Sequence, residues 1–156
     1  MFTALLSSAL YCDLALTETV DEGVAAIKRG DFEDALKIFQ PLANNGDASA
    51  QTYVGVLYAD GLGVSQDDKE ALRWYKLAAA QGMATAQYQL GNIYKRGDGV
   101  AIDSVRAHMW FDLSAAQGER FSVIERDSIA KRLTSQQIAE AQKLARECLA
   151  RKYQDC

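Results

Sequence analysis

The stretch Ala84–Gly118, ATAQYQLGNIYKRGDGVAIDSVRAHMWFDLSAAQG, decides the fold because it repeats the stretch before it. Set against Ala48–Gly82, ASAQTYVGVLYADGLGVSQDDKEALRWYKLAAAQG, at an offset of 36, sixteen of thirty-five positions are identical. Ordinary residue usage gives roughly two such matches by chance. The identities include Gln51/Gln87, Gly55/Gly91, Tyr58/Tyr94, Gly61/Gly97, Gly63/Gly99, Asp67/Asp103, Trp74/Trp110 and Gln81/Gln117. A period of this length marks a stacked repeat rather than a single closed core.

Each copy reads as two helices. In the second, Ala86, Leu90, Ile93 and Tyr94 fall at helical spacing, and Gly91 lets a neighbouring helix approach closely. Gly97-Asp98-Gly99 breaks that helix, since glycine takes the left-handed cap without a Cβ clash. Asp103 is placed to cap the next helix, as Asp67 is in the first copy. On it Ala107, Trp110, Phe111 and Ser114 form a stripe that ends at Gln117-Gly118. One such pair cannot bury both its faces, so successive pairs must stack.

Working outward, Asp31, Ala35, Leu36, Ala43 and Gly46 match Asp67, Ala71, Leu72, Ala79 and Gly82, with a shorter inter-helix loop at Arg29–Phe32. Downstream, Phe121–Leu133 and Thr134–Lys152 read as a closing pair. There Thr134 and Gln137 form a capping box, and Ile138, Ala141, Leu144, Ala145 and Cys148 make the apolar face. The expected organisation is a degenerate first repeat at 18–47, repeats at 48–83 and 84–119, and a C-terminal capping helix pair at 120–156. The fold class is all-α, an α-solenoid of about four stacked antiparallel helix pairs.

The full chain of 156 residues, 49 % hydrophobic and 24 % charged, has the composition of one soluble globular domain. Its net charge of −4 lacks the basic footprint of a nucleic-acid binder. Residues 1–17 carry one charge, Asp13, and an apolar or small run from Phe2 to Leu10. That run is too short to span a bilayer but fits the core of a secretory signal peptide; a buried N-terminal helix is the alternative. No Lys or Arg precedes it.

Without that segment two cysteines remain, Cys148 and Cys156. On one continuous helix they would stand about 12 Å apart, beyond the roughly 7 Å limit for a bridge. A disulfide therefore requires the last helix to end near Lys152 and the tail to fold back; otherwise they are two independent thiols. The spacing matches no common zinc site, and no metal or cofactor is expected.

The elements Ala-x-Ala-Gln, Gly-x-x-Tyr, Gly-x-Gly-Val, the Asp before helix two, Ala-x-x-Trp and Ala-Ala-x-Gly resemble the Sel1-like repeat family, a longer-looped relative of the tetratricopeptide repeat. The resemblance covers about two thirds of the chain, with Val54 where the family places Leu. It implies a solenoid whose concave face, lined by the first helix of each pair, binds a protein or peptide. It also implies a bacterial periplasmic or secreted adaptor. A cysteine-rich branch with the Cys-x7-Cys spacing is associated with β-lactam binding. The alternative function is therefore a cell-wall or β-lactam-binding envelope protein with weak hydrolase activity. By the family's geometry the concave surface includes Thr52 and Val56 from one unit and Tyr88, Asn92, Lys95 and Arg96 from the next. A Lys/Arg rim there would suit an acidic peptide or a C-terminal carboxylate; a plain solvated face is the other reading.

The remaining motifs read as structure. Arg29-Gly30-Asp31 and Arg96-Gly97-Asp98 spell an adhesion tripeptide, but each sits where a helix ends, breaks at Gly and resumes after Asp. The two Gly-x-Gly turns lack the third Gly and preceding strand of a dinucleotide site. The single histidine, His108, has no Ser, Cys or acid in register for a triad and is expected to be exposed or partly packed. Trp74, Trp110, Tyr58 and Tyr94 recur with the period and are expected in the core. No catalytic residue is identified. The expected protein is a monomer without enzymatic activity, a stable membrane span or a nucleic-acid partner.

Overall fold

The computed structural model describes residues 19–156; the segment 1–17, read above as a signal peptide or helix, lies outside them. Eight helices and no strand occur among the described residues. They are α1 (19–29), α2 (Phe32–Asn44), α3 (Ala48–Asp60), α4 (Asp68–Ala79), α5 (Ala84–Arg96), α6 (Ser104–Ala115), α7 (Arg120–Ala130) and α8 (Ser135–Ala150). Within pairs α3 packs on α4 and α5 on α6; between pairs α2 packs on α3 and α4 on α5. The stack closes with both α7 and α8 seated on α6.

The repeated residues explain this geometry. Asp67 caps α4 by accepting from the backbone N–H groups of Lys69 and Glu70, each at 3.0 Å. Asp103 caps α6 through Arg106 at 2.9 Å, and the Thr134–Gln137 capping box is complete at α8. These bonds satisfy donors that a helix start leaves orphaned. The long loops close the same way twice: the N–H of Asp67 donates to the Tyr58 carbonyl at 3.0 Å, and that of Asp103 to the Tyr94 carbonyl at 2.9 Å. Gly63 then lies so near the start of α2 that a Cβ there would stand 2.5 Å from the Phe32 carbonyl carbon. Gly99 lies likewise against Asp68 at the start of α4. Each loop thus rests on the second helix of the preceding pair.

Within a pair, a glycine of the first helix sits under an aromatic ring of the second. A Cβ on Gly23 would meet Phe39, one on Gly55 Tyr75, and one on Gly91 Phe111, all at under 3 Å. These rings are fully or almost fully buried, as are Trp74, Trp110 and Tyr94. Tyr58 departs from the expectation and is only half-buried. Arg106 stands over the Tyr94 ring at 5.7 Å. The residue in its register one repeat earlier, Glu70, turns instead to Arg73 at 2.9 Å.

Buried amides stitch the pairs together. Gln51 donates to the Ala43 carbonyl at 3.1 Å, and Gln81 donates to the Gln51 side-chain oxygen at 2.9 Å. One period on, Gln117 donates to the Gln87 oxygen at 2.7 Å. Because Gln51 and Gln87 are buried, these bonds also discharge a polar group that would otherwise be costly. The ladder ends where Val123 takes the Gln register; there Ser122 donates to Ser114 at 2.8 Å.

At the C-terminus α8 stops at Ala150, and Lys152, Tyr153 and Asp155 adopt positive φ, turning the tail back. Cys148 and Cys156 form a disulfide with Cα atoms 5.5 Å apart. The closed loop places Tyr153 against Gly82, and Gln154 donates to the Ala80 carbonyl at 3.0 Å.

Candidate functional site

The first helices of successive pairs, α3, α5 and the start of α7, line one open groove of about 380 Å³. Its walls come from one register repeated: Ser49, Thr52, Tyr53 and Val56 on α3, then Thr85, Tyr88 and Gln89 thirty-six residues on. Phe121 continues the Ser49/Thr85 series onto α7, and Met83 and Glu119 complete the lining. Spacing of three, four and seven residues keeps such positions on one face of a helix. At none of these positions do the repeats agree, whereas Ala50/Ala86, Gln51/Gln87 and Gly55/Gly91 on the buried face of the same helices do. Between the two repeats the inter-helix contacts recur while the groove surface differs.

The groove is chiefly apolar. Phe121 is 65 % exposed, unusual for a large aromatic side chain. Tyr88 bridges it to the core, its ring 6.5 Å from Phe121 and 5.8 Å from the buried Phe111. Tyr53 is stacked on Phe39 at 4.6 Å, so this wall too is backed by the core. The polar groups are largely engaged. Thr52 donates its hydroxyl to the Ala48 carbonyl at 2.8 Å, and the Glu119 carboxylate caps α7 through the N–H groups of Phe121 and Ser122. Aromatic anchors held by a rigid core suit an apolar partner surface.

Of the six residues chosen from sequence, the structure brings Thr52, Val56 and Tyr88 together in the groove. Asn92 is buried beneath it and donates to Gln89 at 3.5 Å. Lys95 reaches α7, where its ammonium meets Glu125 at 2.7 Å with both side chains largely covered. Arg96 lies beyond the groove and pairs with Asp98 at 2.6 Å. The expected basic rim is therefore neutralised within the fold. Sequence reasoning missed Tyr53, Met83 and Phe121. The first two lie on or beside the face already read; Phe121 shows only when the 36-residue register is carried past Gly118.

The other motifs find structural explanations. In both Arg-Gly-Asp turns the arginine pairs with its own aspartate, Arg29 with Asp31 at 2.9 Å and Arg96 with Asp98. His108 is not exposed but buried, 3 % accessible, and its Nδ1 has no hydrogen-bond partner among the described residues. Burial holds its pKa below the usual histidine value, against the opposing pull of Asp112. The core thus favours the neutral form of the imidazole. Among the described residues no cluster of His, Cys, Asp and Glu is arranged to hold a metal ion. Among them, too, no helix is long and apolar enough to cross a membrane.

Comparison with known proteins agrees with this geometry. The Sel1 repeat family model matches residues 11–47, 48–83 and 84–119. Among solved structures, a protective antigen present in uropathogenic Escherichia coli strains, displaying an SLR fold, superposes with a TM-score of 0.83 at 30 % identity. The match covers 88 % of this chain and 30 % of that one. A Sel1 repeat protein from Oxalobacter formigenes gives a TM-score of 0.65 at 31 % identity, covering 67 % of this chain and 43 % of that one. This chain thus spans less than half the length of either. No curated protein matches it. The fold and repeat support a role as a protein-interaction scaffold. With three matched units, and with glycines, tryptophans and glutamines recurring at the same spacing in the second and third, the chain belongs to the Sel1 repeat family.

Proposed function

We propose that this protein is a non-catalytic adaptor that binds a segment of a partner protein in the α3/α5/α7 groove. One observation carries the reading: the groove-lining positions, at which the repeats differ, form one apolar surface with Phe121 held open to solvent. Burying Phe121, Tyr88 and Val56 against a partner supplies the affinity, at roughly 25 cal/mol per Å² of apolar area covered. The rigid backing of Tyr53 and Tyr88 lowers the ordering cost of binding.

The protein acts as a monomer in the bacterial periplasm or outside the cell. The apolar run Phe2–Leu10 and the Cys148–Cys156 disulfide support export, since such bridges persist in oxidising compartments. Nothing in the groove favours the alternative of a cell-wall or β-lactam-binding hydrolase; nitrocefin turnover by the purified protein would revive it.

The test is selection of displayed random peptides on the purified chain, followed by measurement against Thr85→Arg/Phe121→Ser. Both side chains are exposed, so the variant keeps its fold while filling and stripping the groove. Binding lost in that variant and retained in Gln142→Arg, on the exposed face of α8, supports the reading. Equal binding by both variants refutes it.

A further inference from the structure

Beside the groove, sharing Gln89 with it, a second recess of about 300 Å³ opens between the α3–α4 loop and the end of α5. Three carboxylates line it, Asp60, Asp68 and Asp98, against one guanidinium, Arg96. Arg96 and Asp98 neutralise each other at 2.6 Å. Asp68 accepts from Gln66 at 3.2 Å, but neither it nor Asp60 has a cationic partner among the described residues. Asp68 stands in the first turn of α4, where the helix dipole favours a negative charge. Asp60 is the last residue of α3, where the dipole opposes one. The same register one repeat later holds Arg96, the sign that such a position prefers.

A second observation is independent of the carboxylates. Tyr75 is 2 % exposed and lines the recess, yet its hydroxyl makes no hydrogen bond among the described residues. Packing does not require that hydroxyl: Phe111, its counterpart 36 residues on, covers Gly91 as Tyr75 covers Gly55. Nor is the oxygen sealed in the interior, since among the described residues the enclosed unpartnered side-chain atoms are Trp74 Nε1, Trp110 Nε1 and His108 Nδ1. It therefore opens onto the recess. Burial first, then the Asp60 charge, push the phenol well above its usual pKa, so it remains a neutral hydroxyl able to accept a hydrogen bond.

We propose that this recess receives a lysine or arginine side chain of the partner segment whose apolar residues occupy the groove, with Asp60 and Asp68 supplying the opposing charge and the Tyr75 hydroxyl accepting an N–H. This rests on the groove reading and gives the partner its chemistry: apolar anchors followed by a basic residue, not an acidic peptide. Charge complementarity carries the choice, because Lys95 and Arg96, the cations expected to receive an acidic partner, are already paired.

Two probes separate this inference from the reading beneath it. The first is N-acetyl-arginine methylamide, titrated into the full chain by ¹H–¹⁵N NMR beside N-acetyl-norleucine methylamide. The arginine probe is expected to shift the amides of Asp60, Gln66, Asp68 and Asp98, and the norleucine probe to leave them in place. Asp60→Asn/Asp68→Asn is expected to weaken the arginine probe by about tenfold, the scale of a hydrogen-bonded charge. Tyr75→Phe is expected to weaken it severalfold with the melting temperature unchanged. The second probe is the set of displayed peptides, in which Lys or Arg should be enriched beside apolar residues, and the enrichment should vanish in the Asn double variant. Apolar enrichment without basic enrichment, with the amides unmoved by arginine, overturns the recess and leaves the groove. Arginine binding with no apolar peptide enrichment overturns the groove and leaves a cation site.

Discussion

Replacing Gly91 with alanine would put a methyl group 2.5 Å from Cε1 of Phe111 and 2.6 Å from its Cδ1. The ring is fully buried, with Tyr88 5.8 Å away on the groove side. Two effects oppose each other. Removing a glycine from a helix interior stabilises it by about 1 kcal/mol. Forcing a methyl group into a packed core costs about 1–3 kcal/mol, and a contact this short against an enclosed ring lies at the upper end. The net expectation is a loss of about 2 kcal/mol, or a fall in Tm of about 4–8 °C for a chain of this size. Thermal melts followed by circular dichroism and tryptophan fluorescence would measure it, with coincident curves as the check on two-state behaviour. Phe111→Leu in the same background should recover at least about 1 kcal/mol relative to the sum of the single changes, because the smaller side chain vacates the contact. Gly46→Ala is the control: no neighbour lies within 4 Å, its cost comes from a φ of 95°, and Phe111→Leu should not relieve it. A Gly91→Ala protein as stable as wild type, or strict additivity with Phe111→Leu, would refute the claim that glycine sets the α5–α6 spacing.

Lowering the pH should single out His108. Its folded pKa lies below that of the unfolded chain, so both states are neutral at high pH and the full contribution is present there. As pH falls through about 6.5 the unfolded chain takes up a proton that the folded one refuses, and stability declines by up to about 1.4 kcal/mol per pH unit. His108→Leu, which installs the residue found in register at Leu72, should flatten that part of the Tm–pH curve; parallel curves would show the imidazole to be indifferent. Cys156→Ser should cost up to about 2.5 kcal/mol on the loop-entropy scale for so short a closure. Hydrogen exchange should then rise at both the tail and the Ala80–Gly82 turn it covers; a change confined to the tail would show that the docking contributes nothing.

The architecture was legible because the repeat writes it twice. Gly91 under Phe111, Asp103 at the start of α6 and Gln87 against Gln117 each have a counterpart one period earlier, so a chance match is implausible and the packing follows. The site was only partly legible, for the opposite reason. Binding surface lies where the period fails, and there the sequence offers no second copy to read. Phe121 sits in the fourth, closing pair, which has lost nearly every signature residue. Lys95 looked free because its partner Glu125 lies thirty residues away on that same altered helix. His108 looked peripheral because neighbours from α6 and α7, not its own sequence, decide its burial. The acidic recess is assembled by a loop leaning on a helix end, which no spacing rule reports.

The most direct test of the whole account is a footprint of the tightest selected peptide on the isotopically labelled chain. Amide shifts and exchange protection should gather on Ser49–Val56, Thr85–Gln89 and the first turn of α7, continuing past Gln89 toward Asp60 when the peptide carries a basic residue. A footprint on the outer faces of α4, α6 or α8 would contradict it.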